Sequence, residues 1–254
     1  MKPIVIIPAR LESLRLPRKI LIDIHGVPMI EHVRRRVLLS KNIKDVYIAT
    51  CDKEIKECVE KYGGRVIMTK RDHLNGTSRV AEAVKGIKCD KVILVQGDEP
   101  LLLPSQLDKL SSQIQNDNNS LAWNATAPLE SEQELHKHSF VKCSVINSQI
   151  LYCFRKSPSH NNFETQKKYI RKILGLLAFK KDFLITITKN KAGIIEQLES
   201  IEQLRIIENS FPLTSISFEK TQASINEPED IEIALNVLKN DDEQKGLLNK
   251  VLTF

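Results

Sequence analysis

The chain has 254 residues, with 38 lysines and arginines against 32 aspartates and glutamates and a formal net charge of +6. That length suits one large or two small α/β domains around a substantial core. Acidic residues are interspersed almost throughout and aromatics make up only 5%, which excludes the basic stripe and stacking platform of a nucleic-acid binder and favours a small anionic substrate.

Residues 4–7 are an all-apolar strand that breaks at Pro8, and Arg10, Arg15, Arg18 and Lys19 follow. Residues 28–39 have helical spacing with Pro28 at the start. Residues 45–50 form a second strand, and 52–62 an amphipathic helix stopped by Gly63-Gly64. Residues 65–69 and 91–95 add two more strands, with a helix over 77–84 between them and another after Pro104. Apolar runs separated by helices predict a mostly parallel central sheet with helices on both faces, whose ligands bind beyond the carboxyl ends of the strands.

The second half is less regular. Strands are predicted over 122–127, 140–146, 151–154, 174–179 and 213–218. One long helix is predicted over 194–208 and a closing helix over 227–238. The polar stretch 156–168 reads as a surface loop. One domain over 1–254 is expected: a nucleotide-binding half to about 120, a smaller β subregion over about 121–220, and a closing helix and tail from 221. The five cysteines contain no C-x-x-C pair and read as reduced thiols of a cytoplasmic protein. No apolar run reaches the roughly 18 residues of a membrane span, and no signal-peptide pattern precedes the first strand.

Guanidinium groups and an ammonium at the exit of a buried strand suit a polyphosphate, although a solvated basic loop has the same composition. Neither glycine-rich phosphate cradle, G-x-x-x-x-G-K-[ST] or G-x-G-x-x-G, is present. The stretch IPARLESLRLPRKIL resembles the signature IPAR-x-x-S-x-R-L-P-x-K-x-L of the 3-deoxy-manno-octulosonate cytidylyltransferase (CMP-Kdo synthetase) family. HGVPMIEHV at 25–33, TKRDHLNGTSRVAEAV at 69–84 and VQGDEPLL at 95–102 agree with it in order and spacing.

The resemblance implies a nucleotide-diphospho-sugar-transferase fold, a cytoplasmic homodimer, and a magnesium-dependent transfer of CMP from CTP to an acidic sugar in lipopolysaccharide biosynthesis. It assigns the nucleotide to Arg10, Arg15, Lys19, Gly76, Thr77, Ser78 and Arg79. Catalytic roles fall to Arg15, Lys19 and Asp98, with Asp98 the Mg²⁺ ligand. The acceptor falls to Gln96, Arg155, Glu202 and Gln203. A hard cation takes carboxylate oxygens and neutralises charge on the α-phosphate and the departing pyrophosphate. His73 reads equally as a loop hydrogen-bonder.

Three features depart from the family pattern. RKILGLLAF places Ile173 and Leu177 where a sugar-binding His and Tyr are expected, with Lys172 a substitute if the register shifts by one. Where the family has a second metal-associated aspartate stands Asn226, which still offers magnesium a carbonyl oxygen but without the charge, with Glu227 beside it. The sequence KSPSH follows Arg155 in place of an I-P turn. Other readings therefore stay open: an amino-sugar acid or phosphonate acceptor, a nucleotide-binding protein without turnover, and, more distantly, a GT-A glycosyltransferase.

Overall fold

In the computed structural model, which describes residues 2–13 and 15–254, the apolar runs of the first half become strands, buried at 4–8, 46–50 and 91–95 and partly exposed at 66–68. The chain divides into two compact units, one of residues 1–112 with 222–254 and one of residues 113–221.

The first unit carries β1 (Ile4–Pro8), β2 (Asp23–Ile24), β3 (Val27–Pro28), β4 (Val46–Thr50), β5 (Val66–Met68) and β6 (Lys91–Val95). Its helices are α1 (Met29–Leu38), α2 (Lys53–Lys61), α3 (Gly76–Ala83) and α4 (Pro104–Asn116), which runs past the unit boundary, with α10 (Pro228–Asn240) and α11 (Asp242–Leu252) at the end. The order β5-β4-β1-β6 is parallel throughout. Val5, Ile6 and Ile7 are fully buried at its centre, so β1 has no polar alternation. The β2–β3 hairpin turns on His25 and Gly26, whose φ values of 54° and 84° mark a two-residue turn matched to strand twist.

The second unit is built differently. Its strands are β7 (Ala122–Pro128), β8 (Lys142–Ile146), β9 (Gln149–Phe154), β10 (Ile170–Lys180) and β11 (Leu213–Ser217). Short helices α5 (Glu132–His136), α6 (Phe163–Gln166), α7 (Lys181–Ile187), α8 (Ile194–Glu199) and α9 (Leu204–Glu208) join them. The order is β10-β7-β11-β9-β8, and β8 returns to pair with β10. Only β7–β11 is parallel; the other pairs are antiparallel. The mostly parallel sheet expected from sequence describes the first unit, and the second is mixed.

Several predicted elements are corrected. The helix expected over 194–208 is two helices, because Ser200 adopts a left-handed φ of 53° and ends α8. Strand β10 starts at Ile170, not 174, and is irregular between Ile173 and Leu177, a bulge that hides its period. Within the predicted loop 156–168, the Asn162 side chain accepts from the Thr165 amide at 3.0 Å and starts α6, as an N-cap does. Among the described residues no helix is long and apolar enough to cross a membrane.

Candidate active site

The loop leaving β1 is pinned on both sides of its first cation, Arg10. The Ala9 amide donates to the Ala49 carbonyl and the Leu11 amide to Asp52 Oδ2 at 2.8 Å. Asp52 is itself nearly buried, so the loop hangs from the exits of β1 and β4. The cations then divide by role. Arg18 sits at a left-handed φ of 61° and clamps Glu54 of α2 with both guanidinium ends, which gives it a structural task. Arg10 is exposed. Arg15 is half-exposed and reaches Glu227 at 3.2 Å and Asn226 Oδ1 at 3.4 Å, a loose pairing that a stronger anion displaces at little cost.

Lys19 is the hub. Its Nζ donates to Asp98 Oδ2 at 2.6 Å, to the Ile225 carbonyl at 3.0 Å and to Asn226 Oδ1 at 3.4 Å. The Ile225 amide donates back to the Asp98 carbonyl at 2.9 Å, so the segment before α10 is tied to the exit of β6. Asp230 Oδ2 accepts the amides of Asn226 and Glu227 and fixes that corner. A carboxylate, an amide oxygen and a backbone carbonyl therefore converge on one ammonium. Gly97 permits the approach: a Cβ there would lie 2.9 Å from Ile20 Cδ1 and 3.2 Å from the Pro8 carbonyl oxygen. The donors are the hard oxygens that magnesium takes, and phosphate oxygens and water complete such a shell in nucleotide sites. Among the described residues no group of three or more His, Cys, Asp or Glu side chains could hold a metal without substrate.

The stretch 69–84 forms a second wall. Asn75 caps α3 by accepting from the Ser78 amide at 2.9 Å. A Cβ on Gly76 would meet Pro8 Cγ at 3.0 Å and the Gln96 amide at 3.3 Å, so Gly76 sets the close approach of α3 to β1 and Gln96. Thr77 is nearly buried and Ser78 half-buried. Arg79 is only 3% exposed and donates to Thr69 Oγ1 at 2.6 Å and the Lys70 carbonyl at 3.2 Å. Its guanidinium holds the loop after β5, which places Arg79 behind the wall. His73 meets Glu82 Oε2 at 2.5 Å, and Glu82 also accepts from the Lys70 amide. His73 is thus the loop hydrogen-bonder of the two readings the sequence allowed.

In the second unit Arg155 follows β9 and gives one donor each to the carbonyls of Glu199 (2.9 Å), His138 (3.1 Å) and Ser200 (3.1 Å). It satisfies carbonyls left free where Ser200 ends α8, as basic side chains do at helix C-termini. Glu202 lies in the turn between α8 and α9, half-buried. Gln203 is 6% exposed and donates to Asn124 Oδ1 at 3.0 Å. Asn124 in turn donates to the carbonyls of Leu174 and Leu176 and braces the irregular part of β10.

Leu177 is buried against β7 opposite Asn124, and Ile173 pairs with Thr126. Lys172 pairs with Lys142 of β8 and binds Glu134 at 2.5 Å. Sequence reading missed Asn124 and Asp230, which brace Gln203 and the Asn226 corner, and Glu54 and Glu82, which hold Arg18 and His73. Asp230 had a local signal, the carboxylate one turn into a proline-started helix; Glu54 and Asn124 act across 36 and 79 positions and Glu82 across 9.

Comparison with known proteins places the chain among cytidylyltransferases. A family model described as Cytidylyltransferase matches residues 4–225. A 3-deoxy-manno-octulosonate cytidylyltransferase of Geotalea daltonii is 31% identical over 251 residues, covering 94% of this chain and 99% of that protein. An 8-amino-3,8-dideoxy-manno-octulosonate cytidylyltransferase of a Shewanella species (strain W3-18-1) is 34% identical over 236 residues, covering 91% and 96%. A solved structure of CMP:2-keto-3-deoxy-manno-octonic acid synthetase complexed with CTP superposes with a TM-score of 0.87 at 30% identity, covering 95% of this chain and all of that one.

Proposed function

The chain belongs to the 3-deoxy-manno-octulosonate cytidylyltransferase family and is a nucleotidyltransferase, and we propose that it transfers CMP from CTP to a 3-deoxy-octulosonic acid with release of pyrophosphate. The observation that carries the reading is the convergence of Asp98, Asn226 and the Ile225 carbonyl on the Lys19 ammonium, beside the exposed Arg10 and half-exposed Arg15.

In this reading Arg10, Arg15 and Lys19 receive the triphosphate, and Lys19 exchanges part of its hold on Asp98 for phosphate oxygens. Gly76, Thr77 and Ser78 border the nucleotide, with Arg79 shaping their loop. A hydroxyl oxygen of the acceptor forms a bond to the α-phosphorus as the bond from that phosphorus to the bridging oxygen of pyrophosphate breaks. No covalent enzyme intermediate is needed, because positioning and charge stabilisation carry phosphoryl transfers of this kind. Magnesium held by Asp98 and Asn226, when bound, supplies neutralising charge to the phosphates. Gln96, Arg155, Glu202 and Gln203 serve the acceptor, Arg155 by charge and the others by hydrogen bonds.

A second reading gives the same chemistry an 8-amino-3,8-dideoxy acceptor. It is favoured by the Shewanella relative and by apolar Ile173 and Leu177 on β10. Pyrophosphate release from CTP and magnesium with a panel of acids separates the two. Turnover with the 8-hydroxy acid above all others supports the first, preference for the amino acid supports the second, and no turnover with any acid contradicts both. The proposal extends to a cytoplasmic homodimer. Five free cysteines are compatible with a reducing compartment, and sedimentation of the purified protein tests the oligomer.

A further inference from the structure

Lys142 on β8 has no solvent exposure and no carboxylate partner among the described residues. It lies directly opposite Lys172 of β10 and Phe154 of β9. Directly opposed residues of antiparallel strands share a face, and like charges there repel. Lys172 is neutralised by Glu134, whereas the Lys142 ammonium donates only to the Lys137 carbonyl, at 2.8 Å. The next carbonyl along, that of His138, takes Arg155 Nη1 at 3.1 Å. Two cationic heads thus hang from consecutive carbonyls of one turn. A buried ammonium without a counter-charge is costly, and an anion drawn to Arg155 recovers part of that cost without touching Lys142.

We infer that Lys142 is a positioning residue for the acidic acceptor: it fixes the turn on which Arg155 is seated, and its buried charge strengthens Arg155's hold on the acceptor's carboxylate. The inference rests on the reading that Arg155 serves that carboxylate. Burial, and then the neighbouring Arg155 cation, push the Lys142 ammonium down to about 8. The charged groups around it are Arg155 just after β9, Lys172 from β10 with Glu134 from α5, and Lys137 and His138 from the turn. Cys143, its neighbour on β8, is pushed up to about 12 by burial and does not titrate in the same range. Binding a carboxylate raises the proton affinity of Lys142, so acceptor binding takes up a proton and weakens as pH rises through that range.

The test measures acceptor KM, kcat and CTP affinity against pH for the wild type, Lys142→Met and Lys142→Arg. In wild type the acceptor KM should climb once pH exceeds about 8. Lys142→Met should raise acceptor KM about tenfold at neutral pH and lose the climb, with CTP affinity unchanged, as expected of a charge acting at short range. Lys142→Arg should restore most of the neutral-pH KM. A wild-type acceptor KM that is flat with pH overturns the inference even if neither variant folds. So does a folded Lys142→Met with wild-type acceptor KM. Wild type that binds CTP but turns over no acid overturns the reading beneath it as well, and is distinguished by the absence of any acceptor KM to measure.

Discussion

The cations proposed for the nucleotide and those around the proposed acceptor site are set differently in the two units. In the first, Arg10 and Arg15 are exposed or half-exposed and Lys19 is held by oxygens of a carboxylate, an amide and a carbonyl. In the second, Lys142 and Lys172 are buried and Arg155 is seated on three backbone carbonyls. Exposed cations exchange partners cheaply, which suits a triphosphate that arrives and leaves as a different molecule. Buried cations cost more to build and stay where they are put, which suits orientation of one particular acid.

The largest effects should fall on the first unit's hub. Asp98→Ala should lower kcat for pyrophosphate release by roughly a thousandfold or more, the scale seen when a transition-state charge partner is removed. Stopped-flow phosphate detection would read it, and a loss below about tenfold would remove Asp98 from the chemistry. Lys19→Met should cost roughly a hundredfold while Arg18→Met costs less than about twofold, because Arg18 is spent on an exposed pair with Glu54. Equal losses from the two lysine- and arginine-directed changes would erase the division of roles drawn for that loop.

Buried groups should govern stability where the exposed ones do not. His32 on α1 is fully buried, and burial holds it at about 4 against a usual 6.5. The unfolded chain therefore binds a proton that the native state refuses between those values, so stability is complete above the unfolded value and lost as pH falls to the folded one. At 1.36 kcal/mol per unit the loss is about 3 kcal/mol. Urea melts across that acid range should show it, and His32→Asn should flatten the dependence. A wild-type profile without the slope would refute the burial argument.

The smallest change tests the site's missing charge. Asn226→Asp should lower the magnesium concentration needed for half-maximal rate by about tenfold, the scale of a ligand or near-ligand change. An unchanged magnesium dependence would mean that residue 226 never meets the ion.

What the sequence revealed follows the same division. Arg10, Arg15, Lys19 and Asp98 were singled out by the family resemblance of the stretches that leave β1 and β6. The parallel order of the first unit followed from its apolar runs. The second unit hid its design in long-range pairings. Gln203 finds Asn124 across 79 positions, the irregular stretch of β10 blurs its period, and the left-handed Ser200 breaks a helix that periodicity alone joins from 194 to 208. No local spacing announces that a lysine at 142 will be enclosed between two strands.

The central claim, that the β1 exit and Asp98 together receive a metal-bound triphosphate, is tested most directly by calorimetric titration of the wild type and Asp98→Ala with CTP, each with and without magnesium. The account predicts binding by the wild type that tightens sharply with magnesium and a variant in which that enhancement is gone. Wild-type affinity indifferent to the ion, or the same enhancement in both proteins, would contradict it.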